Sequence, residues 1–297
     1  MDRKLVVGKE NSKKIALVIG SGSVKCAAAL GIWKVLSGEN IGVDMYVGCS
    51  GGSLFATSMA MGLEVEECIE ITQSLWNRKI TETRDFKSLF RAIIPFLKFD
   101  ERFGMVDDSS MMESLQQVFG EKTFEEVVRP LYIVATEFHD GEQVVFNMGR
   151  LVDAVRASIT IPYIWKPWKI GDHLYVDGSL SNPMPVDVAI KEGADIIIAV
   201  GFEAPFPHQI KSLTRFALHV NTIMTNNLLR ANFAFHNLAH HAEIITVFPE
   251  FDRPITLFDT DQIPYVIDQG EKAMEDLLPY LIQILNEEAV GVEHDKL

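Results

Sequence analysis

Twice between Lys14 and Gly62 a short apolar run ends in a glycine-rich turn that opens into a helix, and this repetition narrows the fold more than any other feature. Lys14 to Ile19 runs into Gly20-Ser21-Gly22-Ser23, followed by a helical stretch from Val24 to Leu36. Asp44 to Val47 runs into Gly48-Cys49-Ser50-Gly51-Gly52, and a helix of small residues from Ser53 to about Met61 stops near Gly62. Strand, tight turn and helix in immediate succession build parallel sheets covered by helices.

The remaining chain extends this pattern with one interruption. Residues 72–127 lose strand character and read as a helical cap inserted over the sheet, including the apolar and basic stretch Phe86 to Phe99. Pro130 to Asn147 predicts two strands around an Asp140-Gly141 turn, and Leu151 to Ser158 a short helix. His173 to Val176 forms a strand ending in Asp177-Gly178, Pro185 opens a helix, and Ile196 to Val200 gives a buried strand. A helix from about Leu213 to His240, a strand at Glu243 to Val247 and a helix from about Tyr265 to Leu285 complete a mainly helical extension over residues 201–297. One domain over residues 1–297 is expected, with a mainly parallel central sheet.

Composition excludes several functions. The 41 acidic against 27 basic residues leave a net charge of −14, which disfavours nucleic acid and repels anionic membranes at long range. The start Met1-Asp2-Arg3-Lys4 lacks a secretion signal and no apolar window reaches spanning length, so a cytoplasmic protein is expected, with any membrane contact peripheral. Cys26, Cys49 and Cys68 are too few and scattered for a disulfide framework or a zinc site. Glu66-Glu67 and Asp107-Asp108 lack converging partners for a metal and read as exposed charges; neither calcium nor any cofactor is expected.

Gly48-Cys49-Ser50-Gly51-Gly52 fits G-x-S-x-G between strand and helix, where a sharp turn projects the serine hydroxyl and small neighbours avoid clashes. The first turn, Gly20 to Lys25, can aim backbone N–H groups at a developing oxyanion. As a nucleotide loop it fails: Lys25 occupies the third glycine of G-x-G-x-x-G, and the P-loop spacing is absent.

These motifs, taken in order with Asp177-Gly178-Ser179 after them, resemble the patatin-like phospholipases. The likeness also covers VATEFHDGEQVVF, AVRASITIP and YVDGSLSNPMPVDVAIKEGADIIIAV, running from about Lys14 to Val200. It implies a three-layer α/β/α fold with a helical cap and a Ser-Asp dyad, in which Ser50 attacks an ester carbonyl and Asp177 is the base with no histidine between them. It further implies oxyanion donors at the Gly22 and Ser23 amides, with Lys25 at the family's basic position. Two residues depart from the pattern: Ser23 stands for a glycine, which demands a permissive φ, and Cys26 stands for the glycine after the basic residue.

The resemblance points to phospholipid, lysophospholipid or another acyl ester as substrate. Two other readings stay open: a lipid-binding or regulatory protein that keeps the fold with little catalysis, and an acyltransferase. A Ser-His-Asp triad using His219, His236, His240 or His241 fits by order alone, but the elbow of such hydrolases follows several strands rather than one. His139 and His173 sit beside turns and read as solvated, and Asp140-Gly141 reads as a hairpin turn only.

Overall fold

A computed structural model describes residues 13–75, 104–203, 206, 209–210, 213–239, 242–256 and 259–291. Eight strands form one sheet: β1 (Ile15–Ile19), β2 (Met45–Cys49), β3 (Leu131–Glu137), β4 (Gln143–Phe146), β5 (Trp168–Ile170), β6 (His173–Asp177), β7 (Ile196–Val200) and β8 (Glu243–Val247). The hydrogen-bonded path runs β5-β6-β3-β2-β1-β7-β8, with β4 paired to β3 off this path. Strands β3, β2, β1, β7 and β8 are mutually parallel, while β4, β5 and β6 join in antiparallel fashion. The helices between them are α1 (Ala28–Gly38), α2 (Gly51–Ala60), α3 (Val65–Leu75), α4 (Ser109–Phe119), α5 (Leu151–Ser158), α6 (Val186–Lys191), α7 (Leu213–Ala239) and α8 (Ile263–Gly291).

Period-two alternation along the strands divides the interior into two cores. Ile15, Leu17 and Ile19 of β1 face one way, with Ile196, Ile198 and Val200 of β7, and pack under α1, α2 and α8. Ala16, Val18, Val47, Ile197 and Ala199 face the other way and pack against Val186, Val188 and Ala189 of α6 and Leu229 of α7. Every β1 residue is fully buried, as a central parallel strand with both faces covered requires. The molecule is a three-layer α/β/α sandwich.

The C-terminal extension is part of this sandwich. Strand β8 adds to β7 over five paired positions from Ile196↔Glu243 to Val200↔Val247. Helix α8 crosses α1 so closely that a Cβ on Gly270 would lie 2.0 Å from the Ala28 carbonyl oxygen, and one on Gly31 would lie 2.1 Å from that of Ile267. Of the expected cap, the described part contains α4, which buries Met111, Leu115 and Phe119, and a turn at Phe124–Glu126 closed by a Thr123/Glu126 capping box. The stretch Phe86 to Phe99 lies outside the described residues.

Strand β3 organises the centre of the molecule. Val134 lies opposite both Cys49 of β2 and Val145 of β4, and Ala135 opposite both Val144 of β4 and Asp177 of β6. A strand residue has one neighbour on each edge. Strand β4 therefore takes one edge of β3, and β2 and β6 follow one another along the other, their C-terminal ends meeting between Val134 and Ala135.

Candidate active site

Ser50 stands where β2 ends and α2 begins, with φ 53 and ψ −128. A non-glycine residue in this region costs about 1–3 kcal/mol and persists only where its surroundings hold it. Three groups do so. The Ser50 N–H donates to Ser158 Oγ at 2.8 Å, and the Ser50 carbonyl accepts from the Ser53 N–H at 2.9 Å and from Ser53 Oγ at 2.6 Å. Small neighbours leave the space: a Cβ on Gly52 would lie 2.2 Å from the Ile19 carbonyl oxygen.

Asp177 arrives from the opposite direction at the end of β6. Its N–H donates to the Thr160 carbonyl at 2.8 Å, and its own carbonyl accepts from Thr136 Oγ1 at 2.9 Å. With the backbone so held, the carboxylate reaches the serine: Ser50 Oγ donates to Asp177 Oδ2 at 2.7 Å, and the Ser179 N–H to Oδ1 at 2.9 Å. The side chain is only 2% exposed. Burial pushes its pKa above the ordinary aspartate value, and the hydrogen bonds from Ser179 and Ser50 offset part of that rise. A buried carboxylate with a raised pKa, one hydrogen bond from a hydroxyl, is a stronger base than a solvated one.

The glycine-rich turn lies against the elbow. Gly20 donates its N–H to the Val200 carbonyl at 2.9 Å and Ser21 to that of Pro183 at 2.8 Å, pinning the turn across the ends of β1 and β7. A Cβ on Gly51 would sit 2.8 Å from the Ser23 nitrogen, so the turn and the residue after Ser50 are in van der Waals contact. Ser23 has φ 54, the left-handed conformation that its replacement of a glycine demands. The Gly22 N–H has no protein acceptor among the described residues. The Cys26 thiol donates to the Gly20 carbonyl at 3.3 Å, so the second departure from the family pattern closes the turn on itself, and burial pushes this thiol's pKa well up.

Lys25 turns its ammonium to the Glu203 carbonyl at 2.8 Å, 5.9 Å from the centre of the Phe202 ring. Burial lowers its pKa. Its observed contacts hold the turn to the loop after β7.

The structure thus brings together Ser50, Asp177, Gly178, Ser179 and the turn from Gly20 to Lys25. Of the histidines in the hypothetical triad, His219 lies in α7 with its ring against Phe206 at 5.7 Å, and His240 and His241 fall outside the described residues. His139 and His173 are largely exposed, as expected, and both face Glu137, at 3.3 and 3.6 Å. Asp140-Gly141 forms the turn between β3 and β4, with the Gly141 N–H on the Glu137 carbonyl at 3.0 Å.

Two functional features escape a reading of the sequence. Ser158 is fully buried and bridges strand to elbow: its Oγ accepts from Ser50 and donates to the Val134 carbonyl at 2.6 Å. Arg156, also fully buried, pairs with Asp108 at 2.8 Å, bonds Thr160 Oγ1 and lies over the Trp168 ring at 5.1 Å. Asp108 is accordingly not the plain exposed charge expected of it, because a guanidinium buried without a counter-charge would be costly. The arginine, serine and threonine within the otherwise apolar AVRASITIP were the available signal. Glu67 caps the start of α3 by accepting from the Glu64 N–H at 3.0 Å.

Comparison with known proteins places this arrangement. The family model described as patatin-like phospholipase matches residues 17–190, more than half of the chain. The chain belongs to the patatin-like phospholipase family. An uncharacterised NTE family protein of Mycobacterium tuberculosis is 26% identical over 194 residues, 65% of this chain and 31% of that protein. Patatin-like phospholipase domain-containing protein 6 of Mus musculus is 30% identical over 191 residues, 63% of this chain and 13% of that one. The chain therefore spans a third or less of the length of these two relatives. Among solved structures, VipD from Legionella pneumophila superposes with a TM-score of 0.54 at 14% identity, covering 92% of this chain and 67% of that one, a likeness of fold. In this patatin-like protein the matched span contains Ser50, Asp177 and the Gly20–Lys25 turn. Among its described residues, no helix is long and apolar enough to cross a membrane.

Proposed function

We propose that this patatin-like protein is a lipid acyl-ester hydrolase in which Ser50 is the nucleophile and Asp177 the general base. The observation that supports this reading most directly is the 2.7 Å hydrogen bond from Ser50 Oγ to the buried Asp177 carboxylate, beside an N–H in the adjoining turn without a protein acceptor among the described residues. Ser50 Oγ attacks the ester carbonyl carbon as its proton passes to Asp177 Oδ2. The negative charge that develops on the carbonyl oxygen is taken up by the Gly22 and Ser23 amides. Collapse of the tetrahedral intermediate breaks the ester bond, and the leaving alkoxide takes the proton from Asp177. Water then gives a proton to the same carboxylate while attacking the acyl-serine, which releases the fatty acid and restores Ser50 Oγ–H.

The family supports lipid esters as the substrate class, and within it phospholipid, lysophospholipid or another acyl ester is the proposed substrate. A fluorophosphonate probe tests the nucleophile: it should label the wild-type chain on Ser50 and fail on Ser50→Ala. Labelling that persists in Ser50→Ala, or none in folded wild type, refutes the assignment. Product analysis with and without an added alcohol distinguishes transfer to water from transfer to another acceptor.

A further inference from the structure

Helix α7 presents an apolar face that no element among the described residues covers. Phe216, Val220, Ile223 and Met224, at spacings of four, seven and eight from the first, lie on one side of it and are 54, 38, 38 and 65% exposed. Phe206 and Ile210, which precede the helix, are 52 and 40% exposed, and Phe206 lies edge-on to His219 of the helix itself at 5.7 Å. The opposite side of the helix is anchored to the sandwich. Asn226 and Leu229 are buried, Asn232 Nδ2 donates to Asn182 Oδ1 at 3.1 Å, and the Phe233 ring meets Phe248 at 6.1 Å. Asn182 closes the turn that begins at Asp177-Gly178, its N–H donating to the Gly178 carbonyl at 2.8 Å. The helix is therefore moored to the loop that carries the proposed base.

Charge selects the occupant. In a chain with 41 acidic residues, no Asp or Glu occurs between Glu203 and Glu243, the longest acid-free stretch of the sequence, and α7 lies wholly within it. Asn221, Thr222, Thr225 and Asn227 on this helix are uncharged, His219 and the single cation Arg215 flank the face towards the N-terminal end, and Arg230, further along, is occupied by a two-pronged pair with Glu203 at 2.8 Å to each oxygen. A protein of net charge −14 is repelled by an anionic bilayer, and the described residues of this face offer no compensating cluster of cations. Aromatic, aliphatic and methionine side chains among threonine and asparagine suit the interface of an electrically neutral lipid surface.

We infer that the Phe216/Val220/Ile223/Met224 face of α7, with Phe206 and Ile210, seats the protein on a zwitterionic phospholipid surface and brings the Asp177 loop to it. The inference deepens the hydrolase reading but is tested apart from it, in the Ser50→Ala background, where no lipid is consumed. Phosphatidylcholine vesicles should bind this protein, and phosphatidylglycerol vesicles should bind it more weakly. Phe216→Asp with Met224→Asp should lower partitioning onto phosphatidylcholine by about tenfold or more, since each buried side chain of this size is worth more than a factor of ten. Because both positions are exposed, the melting temperature should stay within a few degrees of its parent. A single Phe216→Trp variant supplies an independent signal that does not rely on the double variant folding, namely a blue-shifted emission quenched by brominated phosphatidylcholine. Failure of the vesicles to bind, equal binding by the charged variant, a preference for phosphatidylglycerol, or an emission from the Phe216→Trp variant that brominated lipid leaves unquenched would each overturn the inference. So would a dimer that the double variant dissociates, which would assign the face to a second copy of the chain. Loss of esterase activity in wild type with vesicle binding intact would instead count against the proposed chemistry alone.

Discussion

At Asp177, the proposed base, the burial that raises the basicity of the carboxylate also weakens the fold. Its pKa is raised chiefly by desolvation, so the folded protein holds this proton more tightly than the unfolded chain does. The stability it contributes is present below the ordinary aspartate pKa and is lost as pH rises through the raised folded value. Asp177→Asn should therefore melt higher than wild type near neutral pH, with the gap closing in acid, while ester hydrolysis falls by about three orders of magnitude or more. The acid limb of the pH–rate profile should lie above the pKa of about 4 expected for a free carboxylate, because hydrolysis needs the ionised form. Thermal melts and rates across pH measure both effects. Ser158 invites a second substitution: Ser158→Ala removes the acceptor of the Ser50 N–H and a donor to the Val134 carbonyl, costing about 1–3 kcal/mol of stability. It should lower kcat more than KM, since the turn that places Ser50 rests on it. The placement of Ser50 and Asp177 at the ends of strands was legible in the sequence because the glycines around each are local signals. Ser158 was not, because its partners lie 108 and 24 positions away.

Among the elements, those with a local signature were read closely. The two strand–turn–helix units, the hairpin at Asp140-Gly141, the helix Leu151–Ser158 and the strand Glu243–Val247 stand where periodicity and turn residues placed them, except that the first helix, expected from Val24, opens as a tighter 3-10 turn over Ser23–Ala27 and becomes α-helical at Ala28. Pairing partners were less accessible, since strand order depends on contacts between distant segments. The two-residue Gly171-Asp172 turn is a local sign that β5 and β6 pair antiparallel, but nothing local reveals that β6 takes up the edge of β3 where β2 ends. The crossing of α1 and α8 was equally hidden, although Gly31 and Gly270 were visible as isolated glycines in helical stretches. Gly270→Val tests that crossing. Its side chain would have to enter the 2.0 Å gap to the Ala28 carbonyl, so α8 must shift away and a loss of about 3 kcal/mol or more is expected. Urea unfolding measures it, and an unchanged midpoint would show that the two helices do not meet as described.

On the scale of the molecule, the family match ends at residue 190, but the packing does not. Strand β8 covers the open edge of β7, and α8 buries Ile263, Val266, Ile267, Met274 and Leu281 with the core shared by α1. A chain stopped after Val200 should therefore aggregate rather than fold, exposing both an apolar helix face and an unpaired parallel strand. Solubility and circular dichroism of the truncated chain check this, and a soluble, cooperatively melting product would contradict it. The meeting of β2 and β6 has a further consequence. Because both strands are hung on the same edge of β3, the single peptide unit between Val134 and Ala135 acts as the gauge that sets the gap between Ser50 and Asp177, the proposed nucleophile and base. Loosening the outer helices leaves that gauge intact, whereas dissolving the sheet removes it. Esterase activity should accordingly persist through any early local opening and vanish in the same step as the slowest-exchanging amides of β3, when denaturant is raised and both are followed together.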